Sequence, residues 1–407
     1  MGSEIYTHRN PSPDSPAHDG PLSGKKVVIQ PNVAVRGWLC DAGSLALEGY
    51  VALEDATVVT RLKKAGAKLV GSSRMSELGF GLVGDTATRV LTAGEADIAL
   101  VTDTMGEARI AAAGSGVFGF KPSFGMVSRF GLVGLVPSME TYGILGKRLE
   151  DVVDTFSVIA GKDMDDPSMP DEAFTAIPAT REPLKLPCTA GVVKECLAIL
   201  EDRERKAFQT GLARLEAAGL TTREVSLSEF DLFRVVHNVV ASVEASSSAG
   251  KYDGVRYGHR SLSGKNWNDM YLNSRGESFS PLIKTFLFQG AYFQFENYPA
   301  FENACRLRRR LVRAVTDQLG VVDLFVFPTR RLEQDAPRAA TINHIYDAFS
   351  LTLPANVTGQ PSLQVPSLAL HTGADLGVQL IGLRLRDSRL FSIALKLSSA
   401  AQGGSAA

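Results

Sequence analysis

The sequence predicts an α/β fold, in which amphipathic helices alternate with short strands around a central sheet. Three observations support this class. Apolar residues recur at helical spacing in several segments, short apolar runs lie between those segments, and glycines or prolines separate the two kinds. The chain has 407 residues, of which 44% are hydrophobic, so it can bury a large core. We find no internal repeat and expect a single domain.

The first half of the chain shows this alternation. The apolar runs at 26–29, 68–70 and 96–101 predict three strands, and the last of them leads into a loop at Asp103. Between the first two runs, apolar residues at helical spacing predict a helix with Asp55 as its N-cap and Gly66 as its C-cap. The inward-facing residues of this helix are Val58, Val59, Leu62 and Ala65.

The second half contains two longer helices and a further strand. Residues 203–218 predict a helix that stops at Gly219, and residues 301–319 predict another. The apolar run at 323–328 predicts a buried strand. The inward-facing residues are Phe208, Leu212 and Leu215 in the first helix and Leu307, Leu311, Val315 and Leu319 in the second.

The two ends of the chain differ from the interior in composition. Residues 1–22 are rich in Pro, Ser and Asp and predict a disordered tail, residues 23–398 form the predicted folded domain, and residues 399–407 predict a flexible tail. The first residues lack the cationic start and apolar core of a secretory signal. No apolar run approaches the roughly 18 residues of a membrane helix. We therefore expect a cytoplasmic protein that does not enter a membrane.

The charge balance argues against direct nucleic-acid binding. The 43 basic and 44 acidic residues nearly cancel, so no net charge favours a nucleic acid or an anionic membrane. A basic cluster on the second long helix predicts a solvated face, because neither aromatic residues nor a second basic run accompany it. The cluster consists of Arg306, Arg308, Arg309, Arg310 and Arg313.

We expect neither a metal nor a cofactor. Residues 114–119 match G-x-G-x-x-G, but a nucleotide site needs a helix after this motif, and Pro122 would interrupt one. We assign these glycines to close backbone packing. The six histidines form no H-x-x-x-H pair. Four cysteines without zinc-ligand or redox spacing predict buried free thiols in a reducing compartment: Cys40, Cys188, Cys196 and Cys305.

Four stretches carry a family resemblance: residues 24–37, 103–146, 244–258, and 353–361 together with 377–382. Residues 116–134 read GVFGFKPSFGMVSRFGLVG, residues 103–109 read DTMGEAR, and residues 244–258 read EASSSAGKYDGVRYG. Together they resemble the amidase signature family, and the third motif is most similar to the A subunits of glutamyl-tRNA(Gln) amidotransferase. The resemblance extends from about residue 24 to 385. It implies a large, mixed, twisted β-sheet flanked by helices on both faces.

The resemblance also implies a Ser–cis-Ser–Lys catalytic triad, and this chain departs from it at all three positions. Gln30 stands where the family has the lysine, Gly84 is the best match for the bridging serine, and Glu107 stands at the nucleophile. Glutamine has no titratable proton and cannot act as the base. We therefore identify no catalytic residue with the family's role.

The same comparison assigns a loop and a substrate pocket. The family's oxyanion loop corresponds to Thr104, Met105 and Gly106, where a carboxylate at position 107 would repel a developing oxyanion. The family's polar pocket residues are matched by apolar ones. The substrate-pocket equivalents are Tyr257, Phe286 and Phe349.

Three functions are compatible with the sequence. The first is a pseudoenzyme that binds a small-molecule ligand, a protein partner such as an amidotransferase-like subunit, or a second copy of itself. The second is an enzyme with new acid–base chemistry at Asp103, Glu107 and Arg109. The third is residual amidase or glutaminase activity through a rearranged site. Its candidate groups are the hydroxyls of Ser72, Ser73 and Ser115 and the amines of Lys25 and Lys26.

Overall fold

The computed structural model describes residues 5–11, 19–171, 188–331, 341–366 and 376–403. These residues form one sheet of eleven strands flanked by helices. The strands are β1 (Tyr6–Arg9), β2 (Lys26–Ile29), β3 (Lys68–Ser73), β4 (Ile98–Asp103), β5 (Phe118–Lys121), β6 (Thr141–Gly146), β7 (Cys188–Val193), β8 (Leu220–Val225), β9 (Leu324–Pro328), β10 (Ser362–Val365) and β11 (Val378–Ile381).

The helices lie between these strands along the chain. A π-helical turn, Tyr292–Glu296, joins two of them. The helices are α1 (Thr57–Lys64), α2 (Ala87–Thr92), α3 (Glu107–Ser115), α4 (Leu149–Ile159), α5 (Lys194–Ala198), α6 (Asp202–Ala217), α7 (Asp231–Ser248), α8 (Trp267–Ser278), α9 (Pro281–Ala291), α10 (Tyr298–Leu319), α11 (Ile342–Phe349), α12 (Leu353–Thr358) and α13 (Asp387–Gly403).

The sheet is mixed, as predicted. Its strand order is β1-β3-β2-β4-β6-β5-β10-β11-β9-β7-β8. β2 runs parallel to β3 and β4 on one side, and β7 runs parallel to β8 and β9 on the other. The strands between these two groups pair antiparallel. The α/β class and the large mixed sheet flanked by helices are therefore confirmed.

The predicted elements of the first half are present, with differences at both ends of the helix. Its C-cap is Ala65, and the predicted C-cap Gly66 follows with a φ of 86°. α1 begins at Thr57 with Ala56 as its N-cap, and no side chain caps it. The carboxylate of Asp55, the predicted N-cap, instead accepts a hydrogen bond from the Arg36 N–H at 2.8 Å and pairs with Lys63. The Asp55 carboxylate is engaged by the Arg36 N–H and by the Lys63 ammonium group, and it makes no capping hydrogen bond with the helix.

Both predicted tails contain regular structure. Tyr6–Arg9 form β1, which pairs antiparallel with β3 at the edge of the sheet. Ile5 and Tyr6 are buried, so this short segment adds apolar contacts as well as backbone hydrogen bonds. Residues 1–4 and 12–18 lie outside the described part of the chain. At the other end, α13 continues to Gly403, beyond the predicted boundary at residue 398.

The glycines of the G-x-G-x-x-G match serve packing. α3 ends before Gly116, which is left-handed with a φ of 64°, and β5 follows, so the helix precedes the strand rather than the reverse. A Cβ on Gly119 would lie 2.6 Å from the Ala112 Cβ atom of α3. The motif thus lets helix and strand approach closely, as expected from its context.

Two expectations about surface groups need correction. Cys40, Cys188 and Cys196 are buried free thiols, but Cys305 is exposed because it lies on the outer face of α10. Within the basic cluster on that helix, Arg308 points inward: its guanidinium donates to the Val357 carbonyl oxygen at 2.8 Å and to Ser138. None of the described helices is long and apolar enough to span a membrane.

The packing of α3 on the sheet yields a stability prediction. A Cβ on Gly143 of β6 would overlap the Ala108 methyl group of α3. We expect Gly143→Ala to lower the free energy of unfolding by about 1–3 kcal/mol through overpacking, measured by urea denaturation. The control is Gly276→Ala in α8, where no atom lies within 4 Å of the new Cβ, and it should stabilise the helix by up to about 1 kcal/mol. Equal effects of the two substitutions would contradict this packing.

Candidate active site

The candidate site is built on the turn between β4 and α3. β4 is buried along its whole length and ends at Asp103, and α3 begins at Glu107. Gly106 in the turn has a φ of 126°, which favours glycine, and a Cβ there would overlap the Thr352 side chain. The Thr352 hydroxyl donates to the Met105 carbonyl oxygen at 2.6 Å. The turn is therefore held between β4, α3 and the residue that precedes α12.

The Glu107 carboxylate occupies the backbone donors of this turn. Its Oε2 accepts hydrogen bonds from the N–H groups of Thr104, Met105 and Gly106 at 2.8, 2.8 and 3.1 Å. Its Oε1 accepts a longer one from the Gly81 N–H at 3.4 Å. Successive backbone N–H groups of this kind form an anion-binding concavity. The Glu107 side chain thus fills this anion-binding concavity itself.

Burial sets the protonation of Glu107, which is only 4% exposed. Burial and the negative charge of Asp103 raise the pKa of Glu107 to about 7, although backbone hydrogen bonds, including those from Met105 and Thr104, act in the opposite direction. The group therefore titrates near neutrality. A raised pKa in an enclosed position is also the property that a general acid or base would need.

Gln30, at the predicted lysine position, is locked by hydrogen bonds. Its Oε1 accepts from the backbone N–H and the hydroxyl of Thr102 at 2.8 and 3.0 Å. Its Nε2 donates to Asp85 Oδ2 at 2.6 Å. Burial raises the pKa of Asp85 to about 6, against the opposing effect of its hydrogen bonds from Ala87 and Gln30. The Gln30 side chain therefore bridges Thr102 of β4 and the Asp85 carboxyl group.

Asp85 is a site residue that the sequence does not predict. Gly84, the predicted match for the bridging serine, is exposed, has a φ of 87° and carries no side chain. Its neighbour Asp85 makes the contact with Gln30 instead. No hydrogen bond among the described residues links Gln30 or Asp85 to Glu107, so these residues belong to two separate hydrogen-bond networks.

Asp103 and Arg109 form a fully buried ion pair beside the turn. Both side chains are 0% exposed, and two hydrogen bonds of 3.1 and 2.9 Å join them. Arg109 also donates to the Thr352 carbonyl oxygen at 3.1 Å, to Gln379 Oε1 at 3.0 Å, and to Asn356. Burial alone would raise the pKa of Asp103, but the Arg109 guanidinium holds it below its usual value. Both groups are thus engaged in structure.

His237 and Tyr346 also contact the site, and the sequence does not predict them. His237 Nδ1 lies 2.9 Å from the Tyr346 hydroxyl, and its Nε2 lies 3.1 Å from the Thr104 carbonyl oxygen. Burial lowers the pKa of His237 to about 4, so the ring is neutral. We assign the Nε2 proton to the bond with Thr104, which leaves Nδ1 to accept from Tyr346. No local signal marks His237, which lies 133 residues from its partner.

The substrate-pocket equivalents contribute apolar surface. Phe286 is fully buried with its ring centroid 4.3 Å from that of Phe80, and Phe349 is 3% exposed at the end of α11. Tyr257 is half-buried and lies against the rings of Tyr50 and Tyr252. Met105 of the turn is fully buried as well. Phe286, Phe349 and Met105 therefore fill interior space, whereas Tyr257 remains partly exposed.

The hydroxyls and amines of the residual-activity hypothesis are not brought together. Ser115 lies at the far end of α3 from Glu107. Ser72 pairs with Ile29 near the end of β2 that leads to Gln30, whereas Lys26 lies at the other end, roughly 10 Å away at 3.3 Å per residue. Lys25 precedes it and pairs with Asp151. Ser73 is buried beside Ser72.

The donor set of the described residues offers no metal centre. No group of three or more His, Cys, Asp or Glu side chains among them is arranged to hold an ion.

Comparisons with known proteins agree with the fold and the motifs. The Amidase family profile matches residues 8–93 and 87–391. The chain is 33% identical to the A subunit of glutamyl-tRNA(Gln) amidotransferase from Symbiobacterium thermophilum, over 92% of this chain and 82% of that protein. It is 31% identical to the same protein from Haloarcula marismortui, over 90% of this chain and 93% of the relative.

Solved structures show the same architecture. The crystal structure of the glutamyl-tRNA(Gln) amidotransferase A subunit from Thermotoga maritima matches with a TM-score of 0.75 at 25% identity, covering 96% of this chain and 86% of that one. A 6-aminohexanoate cyclic dimer hydrolase matches with a TM-score of 0.80 at 18% identity, covering 98% and 90%. At that identity the second match shows the fold alone.

The buried ion pair gives a second prediction. Asp103→Asn leaves the Arg109 charge buried without its partner, so we expect the free energy of unfolding to fall by about 3–5 kcal/mol. Urea denaturation of the purified protein measures this. The control is Glu302→Gln in the exposed Arg306–Glu302 pair, with the Glu302 and Arg306 side chains 48% and 73% exposed, which should cost less than about 0.5 kcal/mol. A cost for Asp103→Asn as small as the control would rule out the structural role.

The raised pKa of Glu107 gives a third prediction. The folded chain holds the proton of the Glu107 carboxyl group more tightly than the unfolded chain does. The protonated group therefore adds to the free energy of unfolding. This contribution is fully present below about pH 4.5 and is lost as the pH rises through about 7. Relative to Glu107→Gln, the wild-type free energy of unfolding should fall over this range by up to about 3 kcal/mol. Urea denaturation across pH tests this, with the exposed Glu54→Gln as control. Parallel pH profiles of the wild type and Glu107→Gln would refute it.

Proposed function

The chain belongs to the amidase signature family, and we propose that, unlike active members of this family, it has lost serine-dependent amide hydrolysis and acts as a binding or scaffold subunit. The single observation that carries this proposal is the position of the Glu107 carboxylate on the N–H groups of Thr104, Met105 and Gly106. Hydrolysis of an amide requires such donors to be free for the oxyanion of the tetrahedral intermediate.

The nucleophile position supports the same proposal. A serine attacks an amide carbon through a hydroxyl that a base has deprotonated. At position 107 the carboxylate is a weaker attacker, and both of its oxygens accept hydrogen bonds from the backbone. An incoming substrate would have to displace these bonds before its carbonyl oxygen reached the turn.

The base position supports it independently. Gln30 cannot take a proton from a nucleophile at neutral pH. Its amide group is held between Thr102 and Asp85, so it acts as a bridge between these two residues and not as a proton acceptor for Glu107. Loss of one triad member typically costs about 10⁴- to 10⁶-fold in rate, and here two independent requirements are unmet.

A second candidate function is repurposed chemistry around Asp103 and Glu107. The observation that favours it is the pKa of Glu107 near 7, which suits a general acid or base. Against it, Asp103 is tied to Arg109, and Glu107 is nearly inaccessible to solvent. Residual carbon–nitrogen hydrolysis, including glutaminase activity, is the weaker alternative because no serine lies beside a lysine among its candidate groups.

The likeness to amidotransferase subunits guides the proposed partners. The relatives are named as the A subunit of an amidotransferase, which favours an amidotransferase-like partner subunit or a second copy of this chain. A small-molecule ligand is also compatible with the family. We propose a cytoplasmic protein that makes no direct contact with nucleic acid, since its charges nearly cancel.

Turnover measurements test the proposed function. We expect purified wild-type protein to hydrolyse neither glutamine nor simple amides above the buffer rate. The N–H groups of the turn are occupied by Glu107, and Gln30 cannot act as a base. Glu107→Ser and Gln30→Lys/Glu107→Ser report whether restoring family residues restores any rate.

The decisive contrast uses two further variants. Suppose that the wild type shows turnover, that Glu107→Ala abolishes it, and that the exposed Glu54→Ala preserves it. Glu107 would then be a working catalytic residue, and the proposal would be wrong. Turnover that survives both substitutions would instead identify a residual hydrolytic site elsewhere in the chain.

A further inference from the structure

Four aromatic side chains are exposed where α9 meets α10, and we call them the aromatic face. Phe288, Tyr292, Phe295 and Tyr298 are 73%, 52%, 76% and 51% exposed. Large apolar side chains exposed singly are ordinary on a protein surface, but a contiguous group marks an interaction site.

The helical spacing places Phe288 and Tyr292 on the same side. Phe288 and Tyr292 are four residues apart, one turn of α9, and the π-helical turn that follows carries Phe295. The opposite side of α9 packs tightly against α7, because a Cβ on Gly290 would overlap the Ser242 carbonyl group. The aromatic face therefore points away from the core. A π-helical turn is uncommon and often lies at a functional site.

The exposed area is large enough to form much of an interface. An aromatic side chain presents about 150–250 Å². At the exposures above, the four together leave roughly 400–600 Å² in water. A standard interface takes about 800 Å² from each partner, so the aromatic face alone supplies half of it or more. Interface cores are also enriched in aromatic residues and poor in charge.

The charges around the aromatic face are self-complementary. Between Pro281 and Phe301 only two residues are charged, Lys284 and Glu296, and they lie six positions on either side of Gly290. Neither forms an ion pair with another residue in the described part of the chain. If two copies of this helix pair antiparallel about a two-fold axis at the height of Gly290, Lys284 of each meets Glu296 of the other. Phe288 then meets Tyr292 by the same symmetry.

We propose that the aromatic face is the interface of a homodimer, in which α9 and its π-helical turn pair antiparallel with the same segment of a second copy. Burial of the aromatic rings supplies the affinity, and the two Lys284–Glu296 contacts fix the register. A second copy fits this surface better than a charged partner, because the surface itself carries almost no charge. Dimer formation does not depend on whether Glu107 supports catalysis, so either conclusion can fail alone.

Sedimentation velocity of the full chain over a micromolar concentration series tests the dimer. We expect a reversible monomer–dimer equilibrium for the wild type. Phe288→Glu places two like charges near the axis and should raise the dimer dissociation constant by about tenfold or more. The matched control is Leu272→Glu on α8, which alters a side chain 65% exposed and should leave the constant unchanged. Thermal unfolding of each variant verifies that it folds.

A charge exchange tests the register. Lys284→Glu and Glu296→Lys each create like-charge contacts across the axis and should weaken the dimer severalfold. The double variant Lys284→Glu/Glu296→Lys restores opposite charges and should return the constant to within about threefold of the wild type. A monomeric wild type, or a dimer that Phe288→Glu leaves intact, overturns the interface. If Phe288→Glu weakens the dimer but the double variant Lys284→Glu/Glu296→Lys does not restore the dissociation constant, the antiparallel register is wrong.

Discussion

The buried pair of Asp103 and Arg109 is the interaction on which the site depends. A charge without exposure to water is tolerated only when a partner and further hydrogen bonds compensate it, and Arg109 draws that compensation from Thr352, Asn356 and Gln379. These partners belong to elements far apart in sequence. The pair therefore joins the end of β4 and the first turn of α3 to the region around α12 and to β11. The backbone of residues 104–106 lies between the two charged residues and is fixed with them.

This constraint restricts Asp103 and Arg109 more than it restricts position 107. Replacing either charged residue leaves the other uncompensated inside the core, which costs several kcal/mol. Position 107 is less restricted, because the N–H groups of Thr104, Met105 and Gly106 need only a hydrogen-bond acceptor there. A carboxylate meets that requirement without an external ligand. The fold thus requires the ion pair and Gly106, whereas the contacts of position 107 require only a hydrogen-bond acceptor.

The sequence predicts the regular elements well where periodicity carries the information. The helices α1, α6 and α10 and the strands β2, β4 and β9 lie where apolar spacing places them. Tyr6–Arg9 escapes prediction because its neighbours resemble a disordered tail, and its pairing with β3 depends on residues more than sixty positions away. Motif resemblance identifies Gln30, Glu107 and the turn. It does not identify Asp85 and His237, since their contacts with Gln30 and Thr104 arise only from folding.

The protonation of Glu107 follows from two opposing effects in the same place. Three backbone donors and the N-terminus of α3 favour the ionised carboxylate, while burial and the charge of Asp103 favour the neutral acid. Burial and the charge of Asp103 outweigh the donors, because the pKa of Glu107 is raised from 4.5 to about 7. An external oxyanion would need the same donors and would add a third negative charge beside those of Asp103 and Glu107. It could reach the donors only if the Glu107 side chain moved away, so this side chain blocks the turn to external anions.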